Sequence, residues 1–186
     1  MKQVRNPLLD EFLEIQSSNT DFISRFSKRQ DLVKKYSFAI PDEFALQKLV
    51  EYSPIVEIGA GLGYWANLVN KMGGKVLCYD DNSWELNKLH KPYTEIHPIQ
   101  KLNKDDFFVS SLFLCWPPME EMSETYLKMY MKNGGQTVIY VGEGWGGCTA
   151  NDEFFEIIEN NFKPILRHRI PQWEGIHDEF CIFTRA

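Results

Sequence analysis

Between Asn6 and Lys35 the apolar residues Leu8, Leu9, Phe12, Leu13, Ile15, Phe22, Ile23, Phe26, Leu32 and Val33 recur largely at helical spacing. Such spacing lines one face of a helix, and the polar break at Ser17-Ser18-Asn19 divides the stretch into two helices. Asp42 is placed to cap a further helix over 43–51, stopped by Tyr52-Ser53-Pro54. Beyond it the pattern changes to short apolar runs, each followed by turn residues: Ile55-Val56-Glu57-Ile58, Val76-Leu77-Cys78-Tyr79, Ser111-Leu112-Phe113-Leu114-Cys115 and Thr137-Val138-Ile139-Tyr140-Val141. Helical stretches are predicted over 64–72, 83–90, 120–131 and 152–160. Runs alternating with helices signal strand-helix units and a mainly parallel sheet with helices on both faces. A weaker strand is predicted over 94–99, and the region to Asp106 lacks a usable period. The tail, 165–170 and 180–184, reads as an antiparallel pair around Pro171-Gln172-Trp173-Glu174-Gly175.

A chain of 186 residues fits one domain, 1–186, and buries a core without disulfides or a structural metal. The net charge of -6 lacks the basic footprint that a nucleic-acid backbone requires, so nucleic acid is disfavoured as a partner. Arg25, Lys28, Arg29, Lys34 and Lys35 lie close together and read as a solvated helix face. The four cysteines, Cys78, Cys115, Cys148 and Cys181, form no CxxC pair and carry no histidines at ligand spacing. No metal site is expected, and the compartment is read as a reducing cytoplasm. No signal peptide and no run of membrane-spanning length is found, so no membrane partner is expected.

The most informative segment is Val56-Glu57-Ile58-Gly59-Ala60-Gly61-Leu62-Gly63-Tyr64-Trp65, where a buried strand runs into a glycine-rich turn and then a helix. Glycine lets backbone approach a ligand closely, and the helix start offers unpaired N–H groups, so a nucleoside-like ligand is implied. Dinucleotide folds place a third glycine at the sixth position of this turn. Tyr64 stands there instead, which disfavours close approach of a pyrophosphate.

On these residues the chain resembles the class I S-adenosylmethionine-dependent methyltransferases, loosely from Tyr36 onward and with more specificity from Val56 to Pro118. The resemblance implies a three-layer Rossmann-like α/β sandwich with an antiparallel last strand, a helical N-terminal lid over 1–50 and a catalytic core over 54–186. It implies that Glu57 orients the turn and the methionine amino group of the cofactor, and that Gly59, Ala60, Gly61 and Gly63 pass beneath it. Asp80, with Asp81 as second choice, would accept hydrogen bonds from the ribose hydroxyls; a turn and helix cap is the structural alternative for both.

The run Cys115-Trp116-Pro117-Pro118-Met119 resembles the Asp/Asn-Pro-Pro-aromatic motif of amino-group methyltransferases, but Trp116 and Met119 replace its hydrogen-bonding and stacking residues. Methylation of a base or glutamine nitrogen by that route is therefore not implied, while Cys115 and Trp116 remain candidates to contact cofactor or substrate. Tyr36 and Phe38 precede the core where related proteins close over the sulfonium, and an aromatic face favours a cation. Glu143, in the glycine-rich loop after the fifth run, and His177, in the tail with His168, Trp173 and Asp178, are the candidate proton acceptors. The expected acceptor is a small molecule or a protein. Two rival functions stay open, a partner protein that binds S-adenosylmethionine without transferring methyl groups and a nucleotide-dependent oxidoreductase.

Overall fold

A computed structural model describes residues 4–84, 89–108 and 110–186. Three helices, α1 (Pro7–Ser17), α2 (Phe22–Lys35) and α3 (Glu43–Glu51), precede β1 (Ile55–Ile58), α4 (Tyr64–Met72) and β2 (Val76–Asp80). There follow β3 (His97–Pro98), α5 (Lys104–Phe108), β4 (Ser111–Cys115), α6 (Met122–Lys132), β5 (Thr137–Gly142), α7 (Asp152–Asn161), β6 (Phe162–Arg169) and β7 (Glu179–Arg185). Helix starts follow capping chemistry: Asn6, Asp21, Asp42 and Asn151 each accept a backbone N–H three residues on.

One sheet of seven strands runs in the order β3-β2-β1-β4-β5-β7-β6. The first five strands are parallel, and β7 is antiparallel to both β5 and β6. Alternate residues of each strand face opposite helix layers, as the period of two requires. Phe113, Ile139, Val141 and Phe180 pack with α1 to α4, while Leu112, Leu114, Val138 and Tyr140 pack with α6 and α7. The N-terminal helices thus share a core with the sheet, through Leu8, Phe12, Leu32 and Leu49.

Several boundaries differ from the sequence reading. The strand expected over 94–99 is reduced to His97–Pro98, paired with Tyr79 and Asp80, and a turn of 3-10 helix over Ile99–Lys101 follows it. Pro98 has no N–H to extend the pairing. The unplaced region contains the short helix α5. Of the helix expected over 83–90, residues 85–88 lie outside the described residues, and Ser83, Trp84, Leu89 and His90 are not helical. Strand β6 begins at Phe162 and tolerates Pro164 because it lies at the sheet edge, where the register shifts between Pro164 and Leu166. No helix among the described residues is long and apolar enough to cross a membrane.

Candidate functional site

The glycine turn leaves β1 at the carboxyl edge of the sheet, where strand order reverses between β1 and β4, the place where open α/β sheets form ligand crevices. Gly59, Gly61 and Gly63 have φ of 73°, 55° and 68°, the left-handed region that glycine enters without strain. The turn is fastened by Gly59 N–H and Ala60 N–H, both donating to the Tyr79 carbonyl, and by Gly61 N–H donating to Asp80 Oδ2 at 2.8 Å. A Cβ on Gly63 would stand 2.7 Å from Thr94 Cγ2 and 2.8 Å from Ile96 Cδ1. Gly63→Ala is therefore expected to lower unfolding free energy by about 1–3 kcal/mol. Urea melts check this against Gly144→Ala, where a Cβ meets nothing within 4 Å and little change is expected.

Above the turn lies a cavity of about 480 Å³, lined by Glu57, Gly59, Ala60, Gly61, Asp80 and Asp81 on the β1–β2 side. Its other walls include Tyr36, Phe38, Trp84, Cys115, Trp116 and Tyr126. Such a volume is that of a small-molecule site. The register sets Glu57 beside Cys78 and Phe113 on the face of α4. Its carboxylate is 2% exposed and, among the described residues, its side-chain hydrogen bond comes from the Cys78 thiol at 3.6 Å. Burial pushes Glu57 up to about 8, with Cys78 acting against it and Asp80 adding to it. A buried carboxylate held by so weak a donor is a place for a cationic ligand group.

Asp80 is also buried, and burial raises its pKa against the hydrogen bonds from Gly61 and Asn82. Those N–H groups occupy one lone pair on each oxygen, leaving acceptor capacity on both. Asp81 lines the rim but is exposed, and its Oδ1 accepts Ser83 N–H at 2.8 Å. The two aspartates thus do stabilise the turn, as the structural alternative required, while only Asp80 is buried.

The aromatic wall is built by contacts far apart in sequence. Trp116 has φ of 54°, uncommon for a bulky residue, and is held there on three sides. Its N–H donates to Val141 O at 2.7 Å, its indole Nε1 donates to Asp178 Oδ1 at 2.8 Å, and its ring stacks on Phe38 with centroids 4.6 Å apart and planes 3° from parallel. The Phe38 and Ala39 carbonyls accept the indole N–H groups of Trp173 and Trp65. Tyr36 packs between Tyr64 and Tyr93, and its hydroxyl donates to Glu11 at 2.6 Å. Cys115 is a neutral thiol at neutral pH, since burial pushes it well above its ordinary value.

The candidate proton acceptors are not brought to this cavity. Glu143 Oε2 accepts Cys148 N–H at 3.0 Å and Oε1 accepts His177 N–H at 2.8 Å, which ties the β5 loop to the tail loop. Burial raises Glu143, but hydrogen bonds from the Cys148 thiol, from the Cys148 and His177 N–H groups and from the His177 ring outweigh it and hold the carboxyl below its usual range, the reverse of what a base needs. The His177 side chain is 80% exposed and faces a shallow depression with Trp173 and Gly175. His168 instead pairs with Asp42 at 2.7 Å.

Asp178 is the polar residue whose role the sequence did not reveal. It is fully buried, and its Oδ2 has no hydrogen-bond partner among the described residues. Burial pushes it up to about 6, against the hydrogen bond from Trp116. A carboxyl raised in the fold binds its proton more tightly when native, so its contribution to stability falls as pH rises from about 4 through 6. Asp178→Asn is expected to shrink the stability difference between pH 4 and pH 7 by roughly 1–4 kcal/mol in denaturant melts.

No protein-family model matches the chain, and no curated protein matches it in sequence. Solved structures do match its fold. Magnesium protoporphyrin IX methyltransferase from Synechocystis, with bound S-adenosylmethionine, is 11% identical with a TM-score of 0.53 over 96% of this chain and 91% of that one. A 1,6-didemethyltoxoflavin-N1-methyltransferase from Burkholderia thailandensis, holding 1,6-didemethyltoxoflavin and S-adenosylhomocysteine, is 15% identical with a TM-score of 0.53 over 100% and 93%. A protein of the NADB-Rossmann superfamily from Streptococcus agalactiae is 12% identical with a TM-score of 0.50 over 81% and 71%. The chain has the Rossmann-like fold of the class I methyltransferases.

Proposed function

We propose that this chain is an S-adenosylmethionine-dependent methyltransferase acting on a small molecule. The observation that carries the reading is Glu57, a buried carboxylate with a thiol for its hydrogen-bond partner, facing a glycine-floored cavity whose adjoining wall holds Asp80. Two carboxyl groups are the acceptors that the ammonium and ribose hydroxyls of an adenosyl amino acid require, and the left-handed glycines leave the floor clear of side chains.

The cofactor supplies an activated methyl group bound to a sulfonium. Glu57 would hold the methionine ammonium, and Asp80 would accept the ribose hydroxyls on the lone pairs left free by Gly61 and Asn82. Tyr36 and Tyr64 line the side near α2, while Cys115, Trp116 and Phe38 line the wall that would be left to an acceptor. Proximity and alignment carry the chemistry, which needs no covalent intermediate. We assign Glu143 and His177 to holding the loops behind Trp116 rather than to proton transfer, since their backbone-bonded and exposed positions lie off the cavity. The chain works as a single domain in the cytoplasm, with the segment 33–38 covering one side of the cavity, and a cavity of about 480 Å³ shared with the cofactor suits a small acceptor better than a protein.

Calorimetric titration with S-adenosylmethionine, S-adenosylhomocysteine and NADH tests this reading. Both adenosyl compounds are expected to bind and NADH is not; binding of NADH alone would establish the oxidoreductase instead.

A further inference from the structure

With an adenosyl cofactor on the Glu57 and Asp80 side of the cavity, the wall left to the acceptor is formed by Phe38, Trp84, Trp116, Pro117 and Met119. Its rings are set against one another. Phe38 lies nearly parallel to Trp116 with centroids 4.6 Å apart, and Trp84 meets Phe38 at 4.7 Å with planes 66° from parallel.

Holding Trp116 in this place is costly. A bulky residue at φ of 54° is strained, and the carboxyl group that accepts its indole N–H is fully buried, with Asp178 Oδ2 unpartnered among the described residues. Core packing requires neither cost, and Trp116 is itself only half-buried. Strain that the surrounding structure over-determines is concentrated at ligand sites. What it fixes here is a rigid pair of parallel rings, on which a flat ring can stack or present an edge, while an alkyl group of equal area gains burial alone.

The charges around the cavity narrow the class. Asp81 and Glu120 line it besides Glu57 and Asp80, and among the described residues Lys34 is the one cation that does so. Four acids against one base oppose an anionic acceptor.

We infer that the methyl acceptor is a planar aromatic molecule without negative charge, held on the wall of Phe38 and Trp116. This rests on the cofactor reading and names the class of acceptor for that same site.

Calorimetry of the full chain saturated with S-adenosylhomocysteine, titrated with 2-naphthol, decahydro-2-naphthol and 2-naphthoate at neutral pH, tests it. The three share a fused two-ring skeleton, but the second has no flat ring face and the third carries a carboxylate. The chain is expected to bind 2-naphthol at least about fivefold more tightly than either counterpart. Phe38→Leu leaves the carbonyl that accepts Trp173 in place, and is expected to cut the preference over decahydro-2-naphthol to less than about twofold, with affinity for S-adenosylhomocysteine within about twofold of wild type. Equal or tighter binding of either counterpart, in a chain that binds S-adenosylhomocysteine, overturns the inference and leaves the cofactor reading standing. So does a preference undiminished in Phe38→Leu, which would place the probe elsewhere. A wild-type chain that does not bind S-adenosylhomocysteine overturns the cofactor reading itself, and the inference with it.

Discussion

Asp80→Ala is expected to raise the dissociation constant for S-adenosylhomocysteine by at least about 100-fold, the effect of losing two charge-assisted hydrogen bonds. The variant removes the acceptors proposed for the ribose hydroxyls and also frees Gly61 N–H and Asn82 N–H, so the glycine turn loses one of its fastenings. Asp80→Asn keeps one oxygen and is expected to lose about tenfold. Asp81→Ala is expected to bind within about twofold of wild type, since Asp81 is exposed and serves Ser83. Calorimetry on the three variants, with melting curves to confirm folding, separates ligand contact from turn stability. Near wild-type affinity in Asp80→Ala would remove the ribose assignment.

The affinity for S-adenosylhomocysteine is expected to tighten by about tenfold per pH unit between pH 6 and pH 7 and to level off near pH 8. The sign follows from Glu57. In the empty site its carboxyl, raised to about 8 by burial, holds a proton at neutral pH. Pairing with an ammonium favours the ionised form, so binding releases a proton, and every unit of pH below 8 opposes binding by up to 1.4 kcal/mol. Glu57→Gln is expected to bind more weakly at pH 8 and to show a flat profile. Calorimetry in buffers of different ionisation enthalpy counts the proton directly, and a wild-type release near zero at pH 7 would show that Glu57 does not face the amino group. The same raised pKa costs fold stability: the Glu57 contribution is greatest below about 4.5 and is lost as pH rises through 8.

The segment from Ile55 to Met72 could be read from sequence because each of its signals is local. A short apolar run, three glycines at fixed spacing and a helical period follow one another, and the structure places them as β1, the left-handed turn and α4. Asp80 could be read for the same reason, being one strand-turn-helix-strand unit from Glu57. What could not be read depends on partners distant in sequence. The hydrogen bond from Trp116 to Asp178 spans 62 residues and that from Trp173 to Phe38 spans 135. No local pattern distinguishes a tryptophan that closes a cavity wall from one that fills a core. Glu143 was conspicuous as the sole carboxylate of a glycine-rich loop, yet its oxygens are committed to the amides of Cys148 and His177, a pairing set by how two loops meet. The start of β6 before Ile165 also depends on such partners, because a proline such as Pro164 is disruptive or harmless according to a strand's place in the sheet.

The strand order bears on how the molecule is assembled during synthesis. Residues 55–142 contain five parallel strands that form one continuous block, and β6 follows in the chain without touching it. Only β7, the later of the two, bridges β5 and β6, pairing with six residues of the former and seven of the latter. A nascent chain halted before Glu179 would leave β5 as an open edge, with the alternating exposed face of β6 unanchored, a template for pairing with another chain. Closing that edge falls to the strand that leaves the ribosome after the other six.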